Sequence, residues 1–193
     1  MRRRVLFQGL LLSALLLLVP LPCHRYAERP PVQVPEYTTE PLSEYDKLIK
    51  AAADSVEWDW RLLAAVVYHE SRFHNQAQSH RGATGLMQIH STRYTEEELL
   101  DPRRNLSIGT RYLRKMQKMF PAASPIENLK FALAAFNLGD GRLRRLIHEA
   151  ALQGADTTRW DGVAALLPEG HHTVSYVEKV LATYEDYATK YPL

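Results

Sequence analysis

The run Trp60-Arg61-Leu62-Leu63-Ala64-Ala65-Val66-Val67-Tyr68-His69-Glu70 constrains this chain more than any other segment. It is apolar almost throughout and has helical spacing. On a helix, Leu63, Val66, Val67 and Glu70 lie three, four and seven residues apart and share one face. That face is otherwise wholly apolar. A carboxylate placed there loses water, and desolvation raises its pKa. A carboxyl group that keeps its proton near neutral pH can give it to a leaving group. The plain alternative is a helix-terminal glutamate that turns back to solvent. A glycine-punctuated segment comes next, Ser79-His80-Arg81-Gly82-Ala83-Thr84-Gly85-Leu86-Met87-Gln88-Ile89.

The chain has 193 residues, which suits one domain plus a targeting segment. Hydrophobic residues make up 46%, enough for a core, and the 24% charged content is ordinary for a globular domain. Of the formal net charge of +2, Arg2, Arg3 and Arg4 contribute three positive charges, so the remainder carries −1. No basic stripe interleaved with aromatics appears, and nucleic-acid binding has no support.

Residues 1–23 read as an export signal: the three arginines, an apolar run over residues 5–19, then Pro20-Leu21-Pro22-Cys23. The run is shorter than the roughly 20 residues that span a bilayer. Cys23 is the sole cysteine, so no intramolecular disulfide can form. Its place after the apolar run suggests a lipoprotein with lipid on Cys23, although Pro22 stands where a small residue is usual. That lipid would tether the protein to a membrane, the outer membrane in this reading. Residues 24–42, with Pro30, Pro31, Pro35 and Pro41, read as an extended linker.

From Ser43 onward the pattern is helical and no alternating strand stands out. Helices are expected over residues 43–55, 58–73, from Asp101-Pro102 through Met116, 126–137, 141–153, and from Tyr176 to Tyr191. Asp101 followed by Pro102 is a helix start, and Gly139 and Gly141 end the apolar helix before them. Tyr176, Val177, Val180, Leu181, Tyr184, Tyr187 and Tyr191 make the expected stripe of the last helix. The expected fold is all-α, with a groove beside Glu70. There are no internal repeats.

The segments Glu70-Ser71-Arg72-Phe73, Ala77-Gln78-Ser79 and residues 82–89 resemble the core motif of the lysozyme-like lytic transglycosylases of the soluble type. Phe131-Ala132-Leu133-Ala134-Ala135-Phe136-Asn137-Leu138-Gly139-Asp140-Gly141 is similar to a second family block, and Thr173-Val174-Ser175-Tyr176-Val177 to a third. The opening around Trp58 and Trp60 and the later segment 160–168 are most like the catalytic domain of membrane-bound lytic murein transglycosylase F. The resemblance covers roughly residues 44–193. The substrate-binding-protein-like domain that usually precedes this module has no counterpart in the sequence.

The resemblance implies a lysozyme-like helical domain, residues 43–193, that cleaves peptidoglycan glycan strands as a monomer and without a cofactor. Glu70 would act alone as acid and then base, giving a 1,6-anhydromuramoyl product in the periplasm. Ser79 and Gln88 match positions that line the site and contact the acetamido group or the acid. Met87 is expected at the groove floor, with a plain core role as the alternative. Asn137 matches a substrate-binding asparagine, and Tyr176 the tyrosine whose hydroxyl approaches the acid. Three positions depart from the family pattern: Phe136 and His172 stand where tyrosine and glutamate are usual, and His90 replaces a proline. A hydrolytic muramidase on the same fold would need a second carboxylate, for which Glu96, Glu97 and Asp101 are the nearby acids. A non-catalytic peptidoglycan-binding scaffold is the other alternative. His69 and His74 are five apart, about 140° around a helix, and do not form a zinc-protease pair.

Overall fold

The computed structural model describes residues 37–193. The expected export segment, Cys23 and most of the proline-rich stretch lie outside the described residues. Eight helices occupy the described part: α1 (Asp46–Asp54), α2 (Trp60–Ser71), α3 (Glu96–Leu100), α4 (Pro102–Met119), α5 (Pro125–Leu138), α6 (Asp140–Leu152), α7 (Trp160–Ala164) and α8 (His172–Lys190). β pairing among these residues is confined to isolated bridges, Gln78 with Thr84 and Thr84 with Ile89. The all-α expectation holds.

α2 is the centre of the molecule. Every residue from Trp60 to Val67 is buried, so this helix is covered on all sides rather than along one stripe. Asp59 caps it, accepting from the Arg61 N–H at 2.9 Å. The Arg61 side chain is buried too, which is tolerable because it is fully engaged. It pairs with Asp59 at 2.6 Å and donates to the Tyr191 carbonyl at 2.9 Å. Tyr184 donates to the same Asp59 carboxylate at 3.0 Å. At the other end of α2, His69 Nε2 lies 2.8 Å from Thr183 Oγ1, and Glu70 meets Tyr176. The start of α2 therefore faces the end of α8, and its end faces the first turns of α8. The two helices run antiparallel.

The remaining helices close around this pair. α4 begins as expected, with Asp101 accepting from the Arg104 N–H at 2.7 Å and Pro102 in the first turn. Ser124 caps α5. α5 ends at Gly139, whose φ of +90° suits glycine. Gly141 does not help end it, contrary to expectation, because the chain re-enters a helix at Asp140. Two short helices lie outside the helical pattern expected from the sequence. α3 forms because Thr95 and Glu98 make a reciprocal capping box. α7 is anchored by buried Glu127, whose carboxylate accepts from the Trp160 N–H at 2.6 Å and from Lys130 at 2.8 Å. Thr38, inside the expected linker, donates its N–H to the Lys190 carbonyl at 2.8 Å, so the chain is tied to the helical body before Ser43.

The loop between α2 and α3 is held by one buried side chain. Asn105 on α4 is wholly buried. Its oxygen accepts from the Met87 N–H at 2.8 Å, and its amide donates to the Thr84 and Leu99 carbonyls, both at 2.8 Å. Gly85 lies so close that a Cβ there would overlap the Asn105 amide and the Leu99 carbonyl. Asn105→Ala would leave the Met87 N–H and the Leu99 carbonyl unpaired away from water, while the Thr84 carbonyl keeps the Ile89 N–H. We expect it to cost about 2–4 kcal/mol, measured as a lowered urea midpoint.

Candidate active site

Glu70 lies in the last turn of α2, and the residues immediately after it fix its surroundings. Ser71 is buried and donates to the Leu86 carbonyl at 2.8 Å, which pins the helix end to the loop. Arg72 and Phe73 then take left-handed backbone conformations, with φ of 54° and 60°. Such residues are uncommon and turn the chain sharply away from the helix axis. The Arg72 guanidinium lies 3.9 Å from the Tyr68 ring centre.

The Tyr176 hydroxyl donates to Glu70 Oε1 at 2.6 Å. Burial pushes the Glu70 carboxyl up from 4.5 to about 7, and the bond from Tyr176 pulls the other way without overcoming it. The Tyr176 hydroxyl is itself held well above its ordinary value, first by burial and then by the neighbouring Glu70. Tyr176 therefore remains a proton donor to Oε1, which leaves Oε2 to carry the acid proton.

A cleft of about 710 Å³ is lined by Gln88, Ile89, His90, Ser91, Arg93 and Tyr94 of the loop, by one face of α4 and by the end of α5. Gln88 and Asn137 both line it. Glu70 does not line the cleft directly; it connects to the wall through α8, where Thr173 binds Asn137 and Tyr176, three residues on, binds Glu70. Gln88, at φ 45°, spends its side-chain N–H groups on the Ala77 carbonyl at 3.0 Å and the Gly85 carbonyl at 3.1 Å. Its Oε1 stays available as an acceptor. Asn137 is the reverse. Its Oδ1 accepts from the wholly buried Thr173 hydroxyl at 2.7 Å, leaving the amide N–H groups as donors. The cleft lining thus carries an acceptor on the loop and donors at the end of α5, the two functions that an amide group calls for.

Ser79 is exposed, and its oxygen accepts from the Ala83 N–H at 2.9 Å and the Arg81 N–H at 3.3 Å. It shapes the loop and is not among the residues that line the cleft. Met87 is not at the groove floor. It is wholly buried, packed against Gly109 and Thr110 of α4, because the missing side chain of Gly109 opens a slot for it. A Cβ at Gly109 would overlap the Met87 sulfur. Phe136 lines the cleft, and its ring packs 5.8 Å from that of Tyr112. His172 is exposed and stacks on His171 at 4.4 Å.

Several cleft residues do not stand out in the sequence: Arg93, Tyr94, Ile108, Arg111, Tyr112 and Lys115. Ile108, Tyr112 and Lys115 share a helix face whose apolar members read as part of a core stripe. The two exposed cations interleaved with that stripe are the available signal. Of the nearby acids, Glu97 is exposed and does not line the cleft, and three others are engaged. Glu96 accepts from Gln78 at 2.6 Å, Glu98 closes the α3 cap and pairs with Arg104, and Asp101 caps α4. No Asp or Glu lines the cleft among the described residues.

Comparison with known proteins converges on one family. The transglycosylase SLT domain model matches residues 47–157, more than half of the chain. A membrane-bound lytic murein transglycosylase F of Desulfosudis oleivorans is 36% identical over 75% of this chain and 36% of its own length. One from Maricaulis maris is 32% identical over 72% of this chain and 35% of its own length. The chain thus spans about a third of the length of these curated relatives. Among solved structures, the 70 kDa soluble lytic transglycosylase SLT70 of Escherichia coli superposes with a TM-score of 0.61 at 28% identity, covering 76% of this chain and 24% of that one. The lytic transglycosylase Slt of Pseudomonas aeruginosa shares the fold, with a TM-score of 0.58 at 23% identity, covering 79% of this chain and 25% of that one.

The raised Glu70 carboxyl has a signed effect on stability. Between pH 4.5 and about 7 the folded protein keeps a proton that the unfolded chain has lost. Stability therefore falls as pH rises through that interval and levels off above it. At about 1.4 kcal/mol per pH unit the ceiling is near 3 kcal/mol. Glu70→Gln removes the effect. Its melting temperature should exceed that of the unsubstituted protein by several degrees at pH 8 and by little at pH 4.5.

Proposed function

Because the chain belongs to the transglycosylase SLT family, we propose that it is a lytic transglycosylase acting on the glycan strands of peptidoglycan. The bond cleaved is the β-1,4 link from N-acetylmuramic acid to N-acetylglucosamine. The observation that carries this reading is Glu70: a carboxyl group poised near neutrality by burial and oriented by Tyr176.

Glu70 Oε2 gives its proton to the glycosidic oxygen as the bond to the anomeric carbon breaks. The substrate's own acetamido carbonyl shares the charge that develops on that carbon. The carboxylate left on Glu70 then takes the proton from the muramic acid 6-hydroxyl, whose oxygen closes onto the anomeric carbon. One C–O bond breaks, one forms, and Glu70 ends protonated as it began. No water is consumed. The attacking hydroxyl is tethered to the same ring, which favours ring closure over hydrolysis.

The supporting residues divide the work. The free acceptor of Gln88 and the free donors of Asn137 suit the N–H and C=O of an acetamido group, the feature common to both sugars. Ser79 acts through the loop it braces, and Met87 supports the same loop from within the core. Two-carboxylate hydrolysis is less well supported, since Glu96, Glu98 and Asp101 serve as caps and in side-chain pairs and no Asp or Glu among the described residues lines the cleft. We assign the protein to the cell envelope as a monomer, delivered by the export segment and held at the outer membrane through lipid on Cys23.

Mass spectrometry of muropeptides released from purified peptidoglycan tests the activity. Anhydromuramoyl products are expected, and Glu70→Gln should lower their release about 10²–10⁴-fold. Reducing-end muramic acid would refute the lytic reaction. The pH profile provides a second test. kcat/KM should decline as pH rises through about 7, where Glu70 loses its proton. Tyr176→Phe removes the bond that favours the carboxylate, so this decline should move to higher pH by about one unit.

A further inference from the structure

One turn of helix joins the acid to the cleft lining. Thr173 and Tyr176 stand three residues apart in the first turns of α8 and share a face. Tyr176 donates to Glu70, and Thr173 donates to Asn137 Oδ1 at 2.7 Å. Thr173 is wholly buried and does not line the cleft, so it does not meet a ligand there itself. Its backbone is fixed as well, because its N–H donates at 3.2 Å to Nδ1 of His171, the residue that caps α8.

A side-chain amide can take two orientations, related by a half-turn that exchanges its oxygen and its nitrogen. For Asn137, one turns the N–H groups to the cleft and the other turns the carbonyl there. Thr173 decides between them. Its hydroxyl carries one hydrogen, and Asn137 Oδ1 is the acceptor that takes it. A half-turn of Asn137 would set Nδ2 against the hydroxyl oxygen and strand that buried hydrogen without an acceptor. Gln88 is held differently, by two backbone carbonyls, those of Ala77 and Gly85. Of the two cleft amides, Asn137 is therefore the one whose direction hangs on a single side-chain hydroxyl.

We propose that Thr173 is a positioning residue: it sets the direction of the Asn137 amide, and through it the affinity of the cleft for an acetamido carbonyl, without acting on the acid. This rests on the lytic transglycosylase reading for its ligand.

The test measures the affinity of the full chain carrying Glu70→Gln, with turnover largely removed, for soluble peptidoglycan glycan strands. Adding Thr173→Val, which keeps the shape and loses the hydroxyl, should weaken binding about tenfold. Thr173→Ser in its place should stay within about twofold of the starting affinity. Asn137→Ala should cost about as much as Thr173→Val, and the two together little more than either, because both act through one contact. With Glu70 intact, Thr173→Val should raise KM, keep kcat within about twofold and leave the decline of kcat/KM at a pH of about 7, since the Tyr176 bond is untouched. A loss that serine does not restore, a loss just as large when Asn137 is already alanine, or a moved pH decline would overturn the assignment and leave Thr173 a packing residue of α8. Product analysis separates the two readings. The expected affinity pattern without anhydromuramoyl products refutes the activity alone, and products with a loss independent of Asn137 refute the positioning role alone.

Discussion

Burial of α2 on every side is the constraint on which the rest of this molecule depends. A helix whose residues from Trp60 to Val67 are all buried has no solvent face, so its neighbours must surround it. α8 does so antiparallel, bolted at one end by Asp59, Arg61, Tyr184 and the Tyr191 carbonyl, and at the other by Thr183 and Tyr176. The same enclosure desolvates the carboxyl group that closes the helix. The core and the chemistry are thus consequences of one arrangement: the apolar surroundings that stabilise α2 also keep Glu70 protonated to about pH 7.

A second layer of organisation lies in how polar groups are used up. Asn105 satisfies three backbone groups and so holds the loop in one shape. Within that shape Gln88 commits its donors and keeps an acceptor, while Asn137 commits its acceptor and keeps its donors. What the cleft can offer a ligand is what the fold has left unbonded. The left-handed turn at Arg72 and Phe73 belongs to the same logic, because it carries the chain from the acid directly into the loop that supplies Gln88.

Much of this is legible in the residues. Helical periodicity locates the long helices, and Asp101-Pro102 marks the start of α4 because capping is a local event. Glu70 stands out as a carboxyl on an apolar face, and Tyr176 through the family resemblance. Short helices are less legible. α3 depends on a capping box of exposed side chains, and α7 on the distant carboxylate of Glu127. Gly141 reads as a helix terminator because two nearby glycines look alike in sequence, yet only Gly139 has the backbone conformation that ends α5. Met87 reads as a groove residue because its neighbours in the motif are, but the space left by Gly109 on another helix draws it inward. Tyr112 reads as core because a stripe facing a cleft and a stripe facing a core have the same period.

The sequence by itself determined the helical class, the place of Glu70 on an apolar helix face and the order of the motif blocks, since these rest on spacing and residue type along the chain. Only the tertiary structure decided which atoms remain free to meet a ligand and which cations share its space. Hydrogen-bond partners such as Thr173 for Asn137, 36 residues apart, and Tyr176 for Glu70, 106 residues apart, are set by packing between helices. Burial, and with it the proton affinity of Glu70, is likewise a property of the assembled neighbours and not of any local segment.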